Sequence, residues 1–172
     1  MKDIEQSAIA AVLEQGCAAY GNEPMCELAV LLSMLRSTSF IHQAHHWQTR
    51  GPQYYGDHLL YERLYTELAE SIDGLAERAV GAGDYPLVNP VVSSKQMSDM
   101  IRLVCNGSGQ TPEQYVVQSL KSVAATLGLL RLVYDALGKK KMLTHGIENL
   151  LQGVADKLEG QVYLLKQRAR SK

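Results

Sequence analysis

Cysteine is scarce: Cys17, Cys26 and Cys105 are odd in number and show no C-x-x-C spacing, so neither a disulfide framework nor a thiolate zinc site is indicated. All three are expected to pack as small buried hydrophobes, in a reducing cytoplasm. An excess of charge of one sign is also lacking. Seventeen Lys plus Arg against eighteen Asp plus Glu give a formal charge of -1, so no global basic field draws the chain to nucleic acid or to an anionic membrane. No apolar run approaches the ~18 residues of a membrane span, and Met1-Lys2-Asp3-Ile4-Glu5 lacks the start of a secretory signal. The chain is read as soluble and cytoplasmic, without a membrane partner. What is present, 46% hydrophobic and 20% charged residues over 172 positions, suits one globular domain spanning 1–172 and excludes disorder for most of it.

Apolar residues recur at steps of three and four, an all-α pattern. A first amphipathic segment, roughly Asp3 to Tyr20, forms an N-terminal helical extension over 1–20 and ends at Gly21-Asn22, where Asn22 can cap a second helix that runs toward Thr49. Arg50-Gly51-Pro52 breaks the chain, and a third helix is expected from about Tyr55 to Val80, stopping at Gly81-Ala82-Gly83. A Pro- and Val-rich connection, Asp84 to Val92, leads to a short helix from about Ser94 to Cys105 that stops at Asn106-Gly107. Thr111-Pro112-Glu113-Gln114 is a helix start with a hydroxyl cap, proline at the first position and Gln three residues after the cap. Val116, Leu120, Val123, Leu127, Leu130, Tyr134 and Leu137 then trace a bundle seam, closed by Gly138 and Lys139-Lys140-Lys141. Ile147, Leu151, Val154, Leu158 and Leu165 repeat the pattern in a last helix from about Gly146 to Arg168. Four long helices and two short ones make a ferritin-like four-helix bundle whose long crossover carries a short helix.

Four of the five histidines, His42, His45, His46 and His58, fall within seventeen residues, beside a helix rich in carboxylates. Counting about 100° per residue from Glu62 puts His58 near -40°, Asp73 near +20° and Glu77 near +60°, one polar stripe. Tyr61, Leu68, Ile72 and Leu75 centre about 120° away, so the core does not need that stripe. Ala69, Ala76 and Val80 along it would let another helix come close. Asp73 and Glu77 repel at i,i+4, a cost that a bound cation reverses.

His58 and Asp73 are fifteen residues apart, ~22 Å along a helix, whereas metal–ligand bonds are ~2 Å. One metal cannot use both ends from the same chain. The spacing fits two copies of the helix packed antiparallel across a two-fold axis, His58 and Glu62 of one meeting Asp73 and Glu77 of the other. The Gly51-Pro52 turn brings His46 beside His58. Two imidazoles and three carboxylates without thiolate suit iron(II), manganese or zinc. The Glu-x-x-His pairs of intra-bundle di-iron ferritins do not occur.

The stretch His46-Trp47-Gln48-Thr49-Arg50-Gly51-Pro52-Gln53-Tyr54-Tyr55-Gly56-Asp57-His58-Leu59-Leu60-Tyr61-Glu62, continued by Leu68-Ala69-Glu70-Ser71-Ile72-Asp73-Gly74-Leu75-Ala76-Glu77-Arg78, resembles the signature of the Dps family, the DNA-protection-during-starvation mini-ferritins. The close match covers about a quarter of the chain. The resemblance implies a ferroxidase that oxidises iron(II), usually with hydrogen peroxide, and stores the ferric product in a hollow shell of twelve subunits built from two-fold dimers. It implies iron as the metal, without haem, held by His46, His58 and Glu62 of one subunit with Asp73 and Glu77 of its mate. Glu62 stands where many members have Asp. Trp47 is either an electron donor beside the site or an interface aromatic.

Two features depart from the family. DNA-binding members commonly carry a Lys-rich N-terminus, which Met1-Lys2-Asp3-Ile4-Glu5 does not supply; the remaining candidate DNA contacts are Lys166, Arg168, Arg170 and Lys172. Where many members place acids around iron-access pores, this chain has Lys139-Lys140-Lys141 and His145, with Glu148 nearby. His42 and His45 have no counterpart in the motif and are expected on the outer face of the second helix rather than as auxiliary metal contacts. Two rival functions stand beside the ferroxidase reading: a nucleoid protein that binds DNA through basic patches, and a structural zinc or manganese site at a dimer interface.

Overall fold

The computed structural model describes residues 6–105 and 111–170. It is all-α: α1 Gln6–Ala18, α2 Cys26–Gln48, α3 Tyr54–Thr66, α4 Ala69–Ala82, a short 3-10 turn Tyr85–Val88, α5 Pro90–Val104, α6 Pro112–Lys139 and α7 His145–Arg170. Helix α2, the α3–α4 pair, α6 and α7 make the four-helix bundle, with α1 laid against α2 and α6 and α5 in the crossover beside α2. The expected start at Asp3, the stop at Asn106-Gly107 and Lys172 lie outside the described residues.

Local signals set most boundaries. Thr111 accepts from Gln114 N while the Gln114 side chain accepts from Thr111 N, a complete capping box with Pro112 at the first position. Ile147, Leu151, Val154, Leu158 and Leu165 are all buried, as their spacing predicts. Asn22 does not cap α2; it takes a left-handed conformation in the turn, and α2 begins at Cys26 behind Met25, also left-handed. Helix α5 starts four residues earlier than expected because the Asn89 side chain caps it, accepting from Val91 N and Val92 N. An eighteen-residue window of α6 is long and apolar enough by composition to cross a membrane, which the run-length reading passes over; 61% of that window is buried inside the bundle, as a core helix requires.

The expected third helix is interrupted at Glu67 and Leu68. Leu68 N turns from the Leu64 carbonyl to that of Tyr65 at 3.3 Å, one residue short of the helical partner. Gln161 of α7 donates from Nε2 to the released Leu64 carbonyl at 2.8 Å, so a side chain inserted into the ladder causes the break. The angular count from Glu62 therefore does not pass unchanged to Asp73 and Glu77.

Candidate metal centre

The Gly51 turn, with φ 92°, folds α3 back along α2 and brings His46 against His58. The rings stack at 3.7 Å between centroids, 22° from parallel. His46 Nδ1 donates to the His58 carbonyl at 2.9 Å, and His58 Nδ1 donates to the His46 carbonyl at 3.0 Å. A carbonyl only accepts, so both Nδ1 atoms carry the proton and both Nε2 atoms keep a free lone pair. This is the arrangement by which a metal-ligating imidazole is fixed in tautomer and orientation. Tyr54 stacks on His58 at 5.2 Å and Tyr65 meets His46 edge-on at 5.5 Å, which limits both rings further.

Helix α3 is anchored at this point by an ion pair. Asp57, immediately before His58, is 1% exposed and receives both Nε and Nη2 of Arg168, at 2.5 and 2.9 Å. The carboxylate holds the Arg168 guanidinium protonated, raising its pKa. Arg168 is thereby removed from the candidate DNA contacts; Lys166 and Arg170 remain exposed.

Glu62, Asp73 and Glu77 are exposed and form no ion pair among the described residues. Asp73 lies in a groove between α2 and α4 with Arg36, Tyr65, Ala69, Ile72 and Ala76. The five expected ligands do not converge within one chain: among the described residues, the group of three or more ligand atoms close enough to share an ion is Cys17, Cys26 and Glu27. Two aromatics of the same segments stand in the open, Trp47 65% and Tyr55 73% exposed.

His42 and His45 correct the expectation of an outer face. They are 0% and 3% exposed, pointing into the bundle on the stripe of Leu31, Leu35 and Thr38. That i, i+3, i+4 continuation is the sequence signal that places them inside. His45 Nε2 donates to Gln118 Oε1 at 3.1 Å, which leaves Nδ1 to accept from the Ser119 hydroxyl at 2.9 Å. Ser119 Oγ in turn accepts from His42 Nδ1 at 3.2 Å, leaving His42 Nε2 buried without a hydrogen bond. Burial lowers His42 to about 3 and His45 to about 4, so both are neutral imidazoles. Thr38, Ser122 and Thr126 extend the buried polar chain with hydroxyl contacts of 2.7 and 2.8 Å.

The cysteine expectation is also corrected. Cys17 and Cys26 form a disulfide across the α1–α2 turn, with Cα atoms 5.0 Å apart, and Cys105 remains a half-buried free thiol. At the other end of α6, Lys140 pairs with Glu27, and Glu148 accepts from the Tyr134 hydroxyl, so two of the pore-region residues are engaged within the bundle.

No family model matches the chain. It is 27% identical over 146 residues to DNA protection during starvation protein 2 of Bacillus anthracis, across 84% of this chain and 90% of that one. A DNA protection during starvation protein of Brevibacillus brevis is 25% identical over 121 residues, covering 70% and 77%. The solved structure of Dps from Thermosynechococcus elongatus superposes with a TM-score of 0.68 over 96% of both chains at 19% identity, a likeness of fold. Relatives of one kind along most of the sequence, the same bundle in solved structures, and the His-Trp to Asp/Glu stretch on α2, α3 and α4 converge on one likeness: along most of its length the chain is similar to DNA-protection-during-starvation proteins, and it shares the fold of solved Dps structures.

Proposed function

We propose that this chain binds iron(II) as substrate and oxidises it, with hydrogen peroxide as electron acceptor, at sites shared between two-fold-related copies. The observation that carries the reading is the crosswise bonding of His46 and His58, which uses both Nδ1 atoms and leaves both Nε2 atoms for a metal. In this reading His46, His58 and Glu62 of one copy, with Asp73 and Glu77 of the other, hold the iron; the carboxylates balance its charge and the imidazoles fix its position. Antiparallel packing of two α3–α4 pairs brings these groups together and covers the exposed aromatics. Two iron(II) ions give one electron each to a peroxide, which takes up two protons and leaves as two waters.

The names of the relatives speak of DNA protection during starvation. Removing iron(II) and peroxide together would protect DNA without contact, which suits a chain whose Arg168 is bound to Asp57. Storage of the ferric product in a twelve-subunit cytoplasmic shell belongs to the same proposal. The test is anaerobic addition of iron(II) to metal-free protein, then peroxide, with ferric absorbance followed and particle mass measured on the same sample. Rapid oxidation in a large hollow particle is expected. Iron binding without oxidation, or a bare dimer, would overturn the ferroxidase reading in favour of a structural metal.

A further inference from the structure

One cluster of ligand atoms is complete within a single chain, and it lies away from the His46–His58 face. Cys17 stands at the end of α1, Cys26 opens α2, and Glu27 follows; one ligand atom from each lies within 4.8 Å of the others, and all three residues are buried. The sulfurs are joined as a disulfide. Cys26 occupies the first position of α2, whose N-cap Met25 makes no side-chain cap, so a thiolate there gains from the helix dipole. Glu27 is 4% exposed, its carboxylate paired with Lys140 Nζ at 2.5 Å. A groove reaches the cluster from solvent, walled by Glu14, Asn22, Asp135 and Lys140.

We propose that Cys17, Cys26 and Glu27 form a redox-convertible site for a divalent cation of the zinc class. Reduced, the two thiolates and the carboxylate hold the ion, with the fourth position open to the groove; oxidised, the disulfide releases it. Two sulfurs and one oxygen are a donor set for zinc, and such an ion requires its thiols deprotonated. Charge supports both states. In the disulfide form, the Glu27 carboxylate and the Lys140 ammonium cancel. In the loaded form, two thiolates and Glu27 carry three negative charges against two from the ion and one from Lys140, so the buried cluster is again neutral. A metal-free dithiolate would leave two negative charges uncompensated, which burial disfavours.

The conversion balances with hydrogen peroxide as oxidant. Two thiolates give up two electrons and form the S–S bond; peroxide takes those electrons with two protons and becomes two waters, and the divalent ion leaves unchanged in oxidation state. Cysteine pairs in reducing compartments are characteristically of this transient kind.

The test uses the full chain in a Cys105→Ser background, so that every thiol counted belongs to the pair. Reduced protein, freed of reductant without oxygen, is titrated with cobalt(II). The expected result is a near-ultraviolet thiolate-to-cobalt charge-transfer band saturating at one equivalent per chain, a signal that imidazole and carboxylate ligands elsewhere do not give. Added peroxide should abolish the band, release the cobalt and remove two thiols per chain. Cys26→Ser should show no band. Glu27→Gln keeps both sulfurs, should still form the disulfide, and should bind cobalt at least tenfold more weakly. Two free thiols without a band, or a pair that stays oxidised in folded protein under strong reductant, would overturn the proposal and leave a purely structural cross-link.

Discussion

His46 and His58, twelve residues apart, each donate a ring Nδ1–H to the other's backbone carbonyl, at 2.9 and 3.0 Å. This reciprocity separates what holds the rings from what the rings offer. An asparagine amide reaches about as far as Nδ1 and can still donate to the carbonyl of residue 46, but it has nothing at the place of Nε2. His58→Asn is therefore expected to abolish iron oxidation while changing stability by less than about 1 kcal/mol, whereas His58→Ala loses the hydrogen bond as well and costs about 1 kcal/mol more. Iron-oxidation rates and urea midpoints of the two variants check this; oxidation surviving in His58→Asn would exclude Nε2 as a ligand.

The Asp57–Arg168 pair fastens the end of α7 to the start of α3, with side-chain exposures of 2% and 11%. Removing Asp57 leaves Arg168 with only the more distant, exposed Glu113 carboxylate at 4.0 Å, so Asp57→Ala is expected to cost about 3 kcal/mol in denaturant unfolding. Arg168→Met with Asp57→Leu removes both charges and should recover much of that loss. Equal losses in the single and double variants would show that the pair's charges are not the cause.

Which parts of this molecule are legible in the sequence follows from how far apart the causes lie. The capping box at Thr111 and the apolar stripe of α7 are local patterns, and the structure reproduces both. The break at Glu67 and Leu68 has its cause in Gln161, 97 residues on from the Leu64 carbonyl it binds, and no window around residue 67 contains it. The engagement of Arg168 depends on a partner 111 residues away. His45 is satisfied at both nitrogens by Ser119 and Gln118 of α6 and His42 at Nδ1 by Ser119, contacts that no local sequence window contains. The clustering of His46 and His58 is plain in the sequence; the hydrogen bonds that set their tautomers are not.

The buried imidazoles make stability depend on acid. In the unfolded chain His45 binds a proton near its ordinary value of 6.5, while burial lowers it to about 4 in the folded one. Between those values the unfolded state holds more protons, so stability rises with pH through this window and is flat above it. His45→Gln keeps a donor toward Gln118 and removes the titration. Wild type is expected to lose up to about 1.4 kcal/mol per pH unit more than this variant between pH 6.5 and 4. Urea midpoints at several pH values give the two slopes, and identical slopes would place the acid sensitivity elsewhere.

If iron is held between two copies, defects on opposite sides of the site must complement. His58→Ala destroys the imidazole half and Asp73→Ala the carboxylate half, so each homodimer has two broken sites and no activity. In a mixed dimer one site receives both defects and the other receives neither. With equal mixing and free exchange, half the dimers are mixed and each has half its sites intact, so about a quarter of wild-type iron oxidation should return. Exchange is confirmed separately, by native mass spectrometry of one tagged and one untagged partner. Recovery near that fraction requires that residues 58 and 73 of one site come from different chains. Activity that stays at zero after proven exchange would mean that each chain supplies both halves, although His58 and Asp73 are not among the ligand groups close enough to share an ion within the described residues.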